Sequence, residues 1–438
     1  MADENHYTEA LKFLFSFVDF SLTHQEQIAP ERFELERMFD LMDKLGNPQL
    51  QYPTIHIAGT KGKGSVAAHC AAALQAAGYK TGLYTSPHLH DFRERIQIDG
   101  QRISKADFTA GIEVLKQVIP QVPGLTSYEL QTALAFWYFG QKKVACAVVE
   151  VGMGGRLDST NVLTPLVSVI TNISYDHTSI LGDTLAEIAG EKGGIIKPGV
   201  PVVSAPQKLD ALEVLEQLAS QREAEFVLVG RDIQFEPLTH SLEGQSFRVF
   251  QNGENGRTFT TQLLGRHQLE NAVTAFAALQ AVNRTGLSVS EQAVQKGFSS
   301  VRWPGRFEVF DGEPMVIFDG AHNRYSAQRL AQTIEDYLPG KPVALVFGAS
   351  EDKDIAGMFA ELLPKVDYVL LVRADHPRAA AVQDLSNLAA DYACPVSVID
   401  SPADFYRQAS ELIGNDGVIL VTGSLYVVGQ LRYLWLQK

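Results

Sequence analysis

From Thr54 onward, short apolar runs rich in β-branched residues alternate with stretches whose apolar positions recur at helical spacing. TIHIAG, KTGLYTS, ACAVVEVG, LVSVITN and PVVSAP each read as a strand without a polar face. Between them, a pattern from about Gly64 to Ala77, then SYELQTALAFWYFGQ and LAEIAGEKGG, read as helices. Strands apolar on both faces and separated by helices predict a mostly parallel sheet covered on both sides. The stretch from about Phe235 to Leu264 breaks this rhythm. There SFRVF and RTFTTQL alternate apolar with polar, which predicts a small antiparallel addition at the sheet edge, and a helix within HQLENAVTAFAALQAV follows. Behind Pro304-Gly305 a second series begins, with PMVIFDGA, KPVALVFGAS, VDYVLLVRA, CPVSVID and GVILVTGS as buried strands. The chain reads as two α/β domains joined near residues 299–305.

Its 438 residues allow two or three domains at roughly 150 residues each. The formal net charge of −14 argues against the broad basic surface that nucleic acid requires. An acidic chain that takes an anionic substrate must gather its cations locally, so lysines and arginines beside glycine-rich loops become informative. Cys70, Cys146 and Cys394 stand far apart without CxxC spacing, which predicts core thiols rather than a zinc site or a disulfide framework. MADENHYTEAL lacks the form of a signal peptide, and no apolar run approaches the ~18 residues of a membrane span. A soluble, cytoplasmic protein is expected.

The strongest local signal is Ala58-Gly59-Thr60-Lys61-Gly62-Lys63-Gly64-Ser65, which follows a strand and opens a helix. That order aims backbone N–H groups and the helix dipole at a phosphate, and Lys63 can neutralise β/γ-phosphate charge. The strict GxxxxGK[ST] pattern is not met, because Ile57 stands where its first glycine belongs and Gly64 follows the lysine. The alternative is a glycine-rich βα turn with a solvated lysine.

A second signal is Glu150-Val151-Gly152-Met153-Gly154-Gly155-Arg156-Leu157-Asp158. A carboxylate at the C-terminal end of a buried strand lies where α/β sheets bind ligands, and it suits Mg²⁺. Arg156 offers a fork for carboxylate or phosphate. Read alone, Glu150 could equally cap the following turn. Ser86 in YTSPHL, His177 in SYDHTSILG and Lys192 in AGEKGGIIK are each unremarkable singly; a loop histidine is more often hydrogen-bonded structure. They gain weight because each follows a parallel-strand pattern, where their side chains can converge. In the second half, Asp319-Gly320-Ala321-His322-Asn323, Trp303-Pro304-Gly305-Arg306, Asp352-Lys353-Asp354 and Gly423-Ser424 stand at the hinge or at successive strand ends.

GTKGKGS, TSPHL, EVGMGGRLDSTN, DHTSILG, AGEKGGIIK, LENA, WPGRFE, DGAHN, DKD and TGSLY occur here in the order found in folylpolyglutamate synthases. The chain resembles that family, some of whose members are also dihydrofolate synthases and which belongs to the Mur-ligase superfamily, from about Tyr7 to Gly429. The resemblance implies an N-terminal P-loop ATPase and pterin-binding domain over 1–300. It also implies a smaller Rossmann-like ligase domain over 301–438, with ATP between them. Thr60, Lys61, Gly62, Lys63, Gly64 and Ser65 would then cradle the ATP phosphates. Asn271, Arg306 and Asp319 would contact ATP from the second half of the chain. Ser86, Glu150 and His177 match Mg²⁺ ligands, and Lys192 matches a lysine that, carbamylated, holds a second Mg²⁺. Thr126, Ser127, Tyr128 and Glu129, with Leu157, Asp158 and Ser159, match segments near the pterin. His322 and Ser424 match the acyl-phosphate or glutamate region. Two departures are visible: Lys61 replaces the usual Asn of GTNGKGS, and Asp158-Ser159-Thr160-Asn161 replaces DATN.

The implied reaction uses ATP, Mg²⁺ and L-glutamate on a folate or a dihydropteroate. The γ-phosphoryl group passes to the acceptor carboxylate, and the glutamate amine then attacks the acyl phosphate. No nucleic-acid or membrane partner is expected, and a monomer fits the family. The nearest rival is a Mur ligase acting on a UDP-sugar peptide. Such enzymes read GKTT at the P-loop, where this chain has Gly64-Ser65, and carry a UDP-binding domain before it, where about 50 residues stand here. A rival of another class is a nucleotide-dependent switch that makes no product.

Overall fold

The structure, a computed structural model, describes residues 2–18, 34–251 and 256–438. The chain divides into two compact units. The first is built on eight strands: β1 (Thr54–Ala58), β2 (Thr81–Tyr84), β3 (Ile96–Ile98), β4 (Gln101–Arg102), β5 (Cys146–Glu150), β6 (Val167–Ile170), β7 (Val202–Ser204) and β8 (Phe226–Leu228). Their order across the sheet is β4-β3-β2-β5-β1-β6-β7-β8. All pairs from β2 to β8 are parallel, whereas β3 and β4 add antiparallel at one edge. β1, β2, β5, β6 and β7 are buried at every position, as unbroken apolar runs covered by helices require.

The register decides what lies next to what. Ile57 of β1 pairs Glu150, Ala58 pairs Ile170, and Tyr84 pairs both Val149 and Ile96. The loops after β1, β2, β5 and β6 therefore emerge side by side along the C-terminal edge of the sheet, where such folds bind ligands. The helix Lys63–Ala76 springs directly from the loop after β1 and buries nine of its residues.

The alternating stretch is not an edge addition to this sheet. It forms a three-stranded sheet of its own, in the order β11 (Arg257–Thr261), β10 (Gly244–Gln251), β9 (Ile233–Ser241). Nor does one cut after residue 300 describe the division of the chain. Pro237–Phe247 and Thr260–Leu269 belong to the second unit together with Arg302–Lys438. Side-chain bonds explain this. Gln245 donates to the carbonyls of Leu263 and Gly265 and accepts from the Tyr337 hydroxyl, while Arg266 pairs with Asp336.

The second unit holds six strands: β12 (Glu308–Phe310), β13 (Met315–Phe318), β14 (Val343–Phe347), β15 (Tyr368–Leu371), β16 (Val396–Val398) and β17 (Val418–Thr422). They lie in the order β12-β13-β17-β14-β15-β16, parallel except for β12 on β13. Phe318, Phe347, Phe359 and Phe405 are fully buried about this sheet. No helix among the described residues is long and apolar enough to cross a membrane.

Candidate functional site

In the first unit the loop after β1 is stitched down on one side. Thr60 N and Lys61 N both donate to Asn172 O, at 2.9 and 3.2 Å. The Thr60 hydroxyl donates to Ser174 O at 3.1 Å, and the Lys61 ammonium pairs with Asp176 at 2.9 Å. Both residues, expected at the phosphates, thus fasten this loop to the one after β6. The amides of Gly62, Lys63, Gly64 and Ser65 have no acceptor among the described residues. They are the unpaired donors of a helix N-terminus, suited to an anion. Gly62 has φ +94°, and a side chain there would run into the Asn271 amide, which lies over the loop. That places Asn271 beside the phosphate loop within the same unit.

Lys63 leads to the other side. Its ammonium is 3.9 Å from Glu150 Oε1, and Glu150 Oε2 accepts from Ser86 N at 3.1 Å. Glu150 is 5% exposed. The carboxylate and the serine thus meet where β5 and β2 end. His177, by contrast, leans on Asp176, Nε2 to Oδ1 3.9 Å, and its backbone sits in the left-handed region at φ 53°. A non-glycine residue held there stores strain, a condition common at ligand sites. No group of three His, Cys, Asp or Glu side chains able to hold a metal occurs among the described residues. Of the four expected metal ligands, the structure brings Ser86 and Glu150 together.

Lys192 is buried and donates to Gly59 O at 3.0 Å. Burial, and then the charge of Lys63, brings its pKa down to about 7. The loop after β5 packs on the helix that carries it, because Gly155 leaves no room for a side chain: a Cβ there would stand 2.8 Å from the carbonyls of Glu191 and Lys192. Gly155→Ala should push this helix back, cost about 1–3 kcal/mol of stability in denaturant unfolding, and reduce turnover as Lys192 shifts. Arg156, considered as a fork for substrate, instead closes on Glu191 through Nε and Nη2.

Tyr128, of the first segment expected near the pterin, packs its hydroxyl on Gly152. It lies in the field of Asp158, Tyr84, Arg95 and Glu150, and burial pushes its pKa well up. The carboxylates of the two expected segments are already engaged. Glu129 accepts from Thr126 N and Oγ1 in a capping box and from Arg37 Nε. Asp158 caps the short helix Ser159–Val162 and accepts from Met153 N; burial raises its pKa. Leu157 is half-buried, and Ser127 and Ser159 are buried.

In the second unit Asp319 accepts from Phe307 N and Ala321 N, at 2.8 and 2.9 Å. Burial raises its pKa, and the Arg306 charge opposes the rise. Phe307 is left-handed at φ 43°, a strained state for an aromatic residue beside the two expected nucleotide contacts. His322 Nδ1 donates to Gly320 O at 2.8 Å. Ser424 is buried and caps the helix Leu425–Leu436, its hydroxyl accepting from Tyr426 N.

Several residues of this region were not singled out in the sequence, although Asp176 lies within DHTSILG and His88 within TSPHL. Asp176 and Asn172, which hold the phosphate loop, look like ordinary loop residues. His56 lies inside a strand, hydrogen-bonded to Thr160 at 2.8 Å, and burial lowers its pKa to about 3. His88, Arg95 and Gln131 form a further cluster; burial, and then the Arg95 charge, lowers the His88 pKa to about 4.

Comparison with known proteins meets this geometry. The Mur ligase middle domain matches residues 57–279, and the Mur ligase glutamate ligase domain matches residues 305–425. A Bacillus subtilis protein named dihydrofolate synthase/folylpolyglutamate synthase is 36% identical over 91% of this chain and 94% of its own length. The Mycobacterium tuberculosis folylpolyglutamate synthase solved with ADP and AMPPCP superposes with a TM-score of 0.88 at 34% identity, covering 99% of each chain. An Escherichia coli structure in complex with DHPP and ADP gives 0.86 at 30% identity, covering 98% of each. Both halves of the ligase are matched, and relatives of one kind align along nearly all of the sequence: the chain belongs to the folylpolyglutamate and dihydrofolate synthase family of Mur ligases.

Proposed function

We propose that this ATP-dependent ligase adds L-glutamate to the γ-carboxylate of tetrahydrofolates through an acyl phosphate, and also joins glutamate to dihydropteroate. The observation that carries the reading is the set of four amides at the start of the helix Lys63–Ala76, with Lys63 and Glu150 beside them. Amide formation from a free carboxylate in water is uphill. Transfer of the γ-phosphoryl group to the acceptor carboxylate releases ADP, and attack by the glutamate amine then expels phosphate. The amides of Gly62 to Ser65 and the Lys63 ammonium hold the charge that moves during transfer. No covalent bond to the protein is needed.

The hard oxygens of Ser86 and Glu150 fit Mg²⁺, which keeps several waters and shares phosphate oxygens. When bound, the ion draws off phosphate charge between two anions. His177 is assigned to the same ion, and a carbamylated Lys192 to a second. Asn271, Arg306 and Asp319 are assigned to the nucleotide, Tyr128 with its neighbouring segments to the pterin, and His322 with Ser424 to the glutamate side. The bifunctional name of the Bacillus relative supports the dihydropteroate step. A cytoplasmic monomer acting on small molecules completes the proposal.

ADP release that requires both a folate-type acceptor and glutamate separates this reading from a nucleotide switch. Glu150→Gln keeps the shape of the side chain and removes its charge. It should raise the Mg²⁺ concentration for half-maximal activity by about 10-fold or more, with the melting temperature little changed. Wild-type activity of that variant at limiting Mg²⁺ would remove Glu150 from the metal.

A further inference from the structure

Arg95 is a half-buried arginine of the first unit without a carboxylate partner. Its Nε donates to His88 Nδ1 at 2.9 Å and its Nη1 to Gln131 Oε1 at 2.8 Å. The guanidinium also lies over the Phe92 ring, 5.4 Å from its centroid. Two of its five N–H groups are thereby taken by neutral acceptors, and the other three meet no acceptor among the described residues. Nearby carboxylates are committed elsewhere. Glu94 holds the amides of Leu89, His90 and Asp91, and Asp91 is paired with Arg93. A half-buried arginine gives up part of its hydration, a cost that an anion offsets. In a chain of net charge −14, that an arginine is fixed this way without a protein anion needs an explanation.

Its place in the sheet supplies one. Arg95 O accepts from Thr85 N at 3.0 Å, and the next residue, Ser86, donates to Glu150. Arg95 stands just before β3, whose Ile96 pairs Tyr84 of β2, whose end adjoins Glu150 of β5. The cation therefore lies on the same strand-end row as Ser86 and Glu150. Gln131 belongs to the helix Ser127–Lys142, whose first turn carries Tyr128. The guanidinium is also within electrostatic reach of the Tyr128 and Tyr84 hydroxyls.

We propose that Arg95 binds the acceptor carboxylate that is to be phosphorylated, with His88 and Gln131 as its positioning residues. The inference rests on the ligase reading above and names a residue of that site which the motifs did not. An arginine fork is the geometry that grips a carboxylate through two parallel hydrogen bonds. Held by Nε and one Nη1 hydrogen, the fork keeps its remaining Nη donors for one anion in one orientation. His88 and Gln131, being neutral, fix the plane of the guanidinium without consuming its charge. No bond is made or broken by Arg95; it holds the nucleophilic oxygen in line.

The test is steady-state kinetics of the full-length protein, with 7,8-dihydropteroate and tetrahydrofolate as acceptors and each carboxamide analogue as inhibitor. Arg95→Gln should raise KM for the acceptor about 10- to 100-fold, the range of a lost charge-assisted hydrogen bond, and leave KM for ATP within about 2-fold. Wild type should bind the carboxylate much more tightly than the carboxamide, and Arg95→Gln should lose that preference. Gln131→Glu is the second variant. It sets a carboxylate against the guanidinium, so a merely structural Arg95 would keep or gain stability and activity. A carboxylate-binding Arg95 would instead be quenched, and KM for the acceptor would rise as it does in Arg95→Gln. An unchanged acceptor KM in Arg95→Gln, or wild-type kinetics in Gln131→Glu, overturns the inference and leaves the ligase reading standing. A wild-type protein that glutamylates neither acceptor overturns both.

Discussion

Replacing Lys63 with alanine should lower turnover by about 10³-fold, the loss seen when a preorganised charge-stabilising group is removed from a reaction that develops negative charge. The ammonium stands at the first position of a helix whose N-terminal amides are unpaired, with the buried Glu150 carboxylate 3.9 Å away. It is thus set where a phosphate would meet it. Lys61, two residues earlier, is the internal control. Its charge is paired with Asp176 at 2.9 Å, so Lys61→Asn, which restores the residue common in the family, should cost far less. Single-turnover measurements at saturating ATP separate the chemical step from binding. A near-normal rate in Lys63→Ala would make the loop structural.

Lys192→Ala should also lose most activity, about 10²-fold or more, if the residue serves as an anionic carbamate beside Lys63. The route to that anion is open because burial and the Lys63 charge bring the amine down to about 7. Only the neutral amine reacts with CO₂, forming the carbamate and releasing a proton. Activity of CO₂-stripped enzyme should therefore return on adding bicarbonate, and the return should grow as pH rises through about 7 rather than near the ordinary lysine range. Stability follows the same shift. Between about 7 and 10.5 the unfolded lysine holds a proton that the folded one has released, so the uncarbamylated protein becomes less stable as pH falls across that window. Intact-protein mass should show one added CO₂ in wild type and none in Lys192→Ala. Full activity of that variant, with no bicarbonate effect on wild type, would assign Lys192 to structure alone.

What the chain discloses in one dimension follows from how local each feature is. The glycine-rich loop after β1 was legible because strand, glycines, lysine and helix fall within the twelve residues from Thr54 to Ser65. The parallel strands were legible because burial on both faces leaves an unbroken apolar run. The hairpin of β3 and β4 was not, since Ile96–Ile98 offers three residues with a polar Gln97 between them. Likewise β12 hides behind the turn at Pro304-Gly305, and only its partner β13 reveals it. Lys192 and Glu150 were visible as residues, but the burial that lowers one and the contacts that engage the other arise only from packing. Asp176 and Arg95 show the limit most plainly. Asp176 stands inside DHTSILG, but nothing in that motif says it pairs with Lys61, and an arginine before a short strand carries no signal until the fold sets it beside Ser86.

The central claim is that this site activates a folate-type carboxylate and joins glutamate to it. The direct measurement is the mass of products formed by the purified protein from ATP, Mg²⁺ and L-glutamate, with tetrahydrofolate, 7,8-dihydropteroate or a UDP-muramoyl peptide as acceptor. Glutamyl adducts of both tetrahydrofolate and dihydropteroate are the predicted result, with one ADP per bond formed. No adduct of either pteridine, together with one of the UDP-muramoyl peptide, would contradict it.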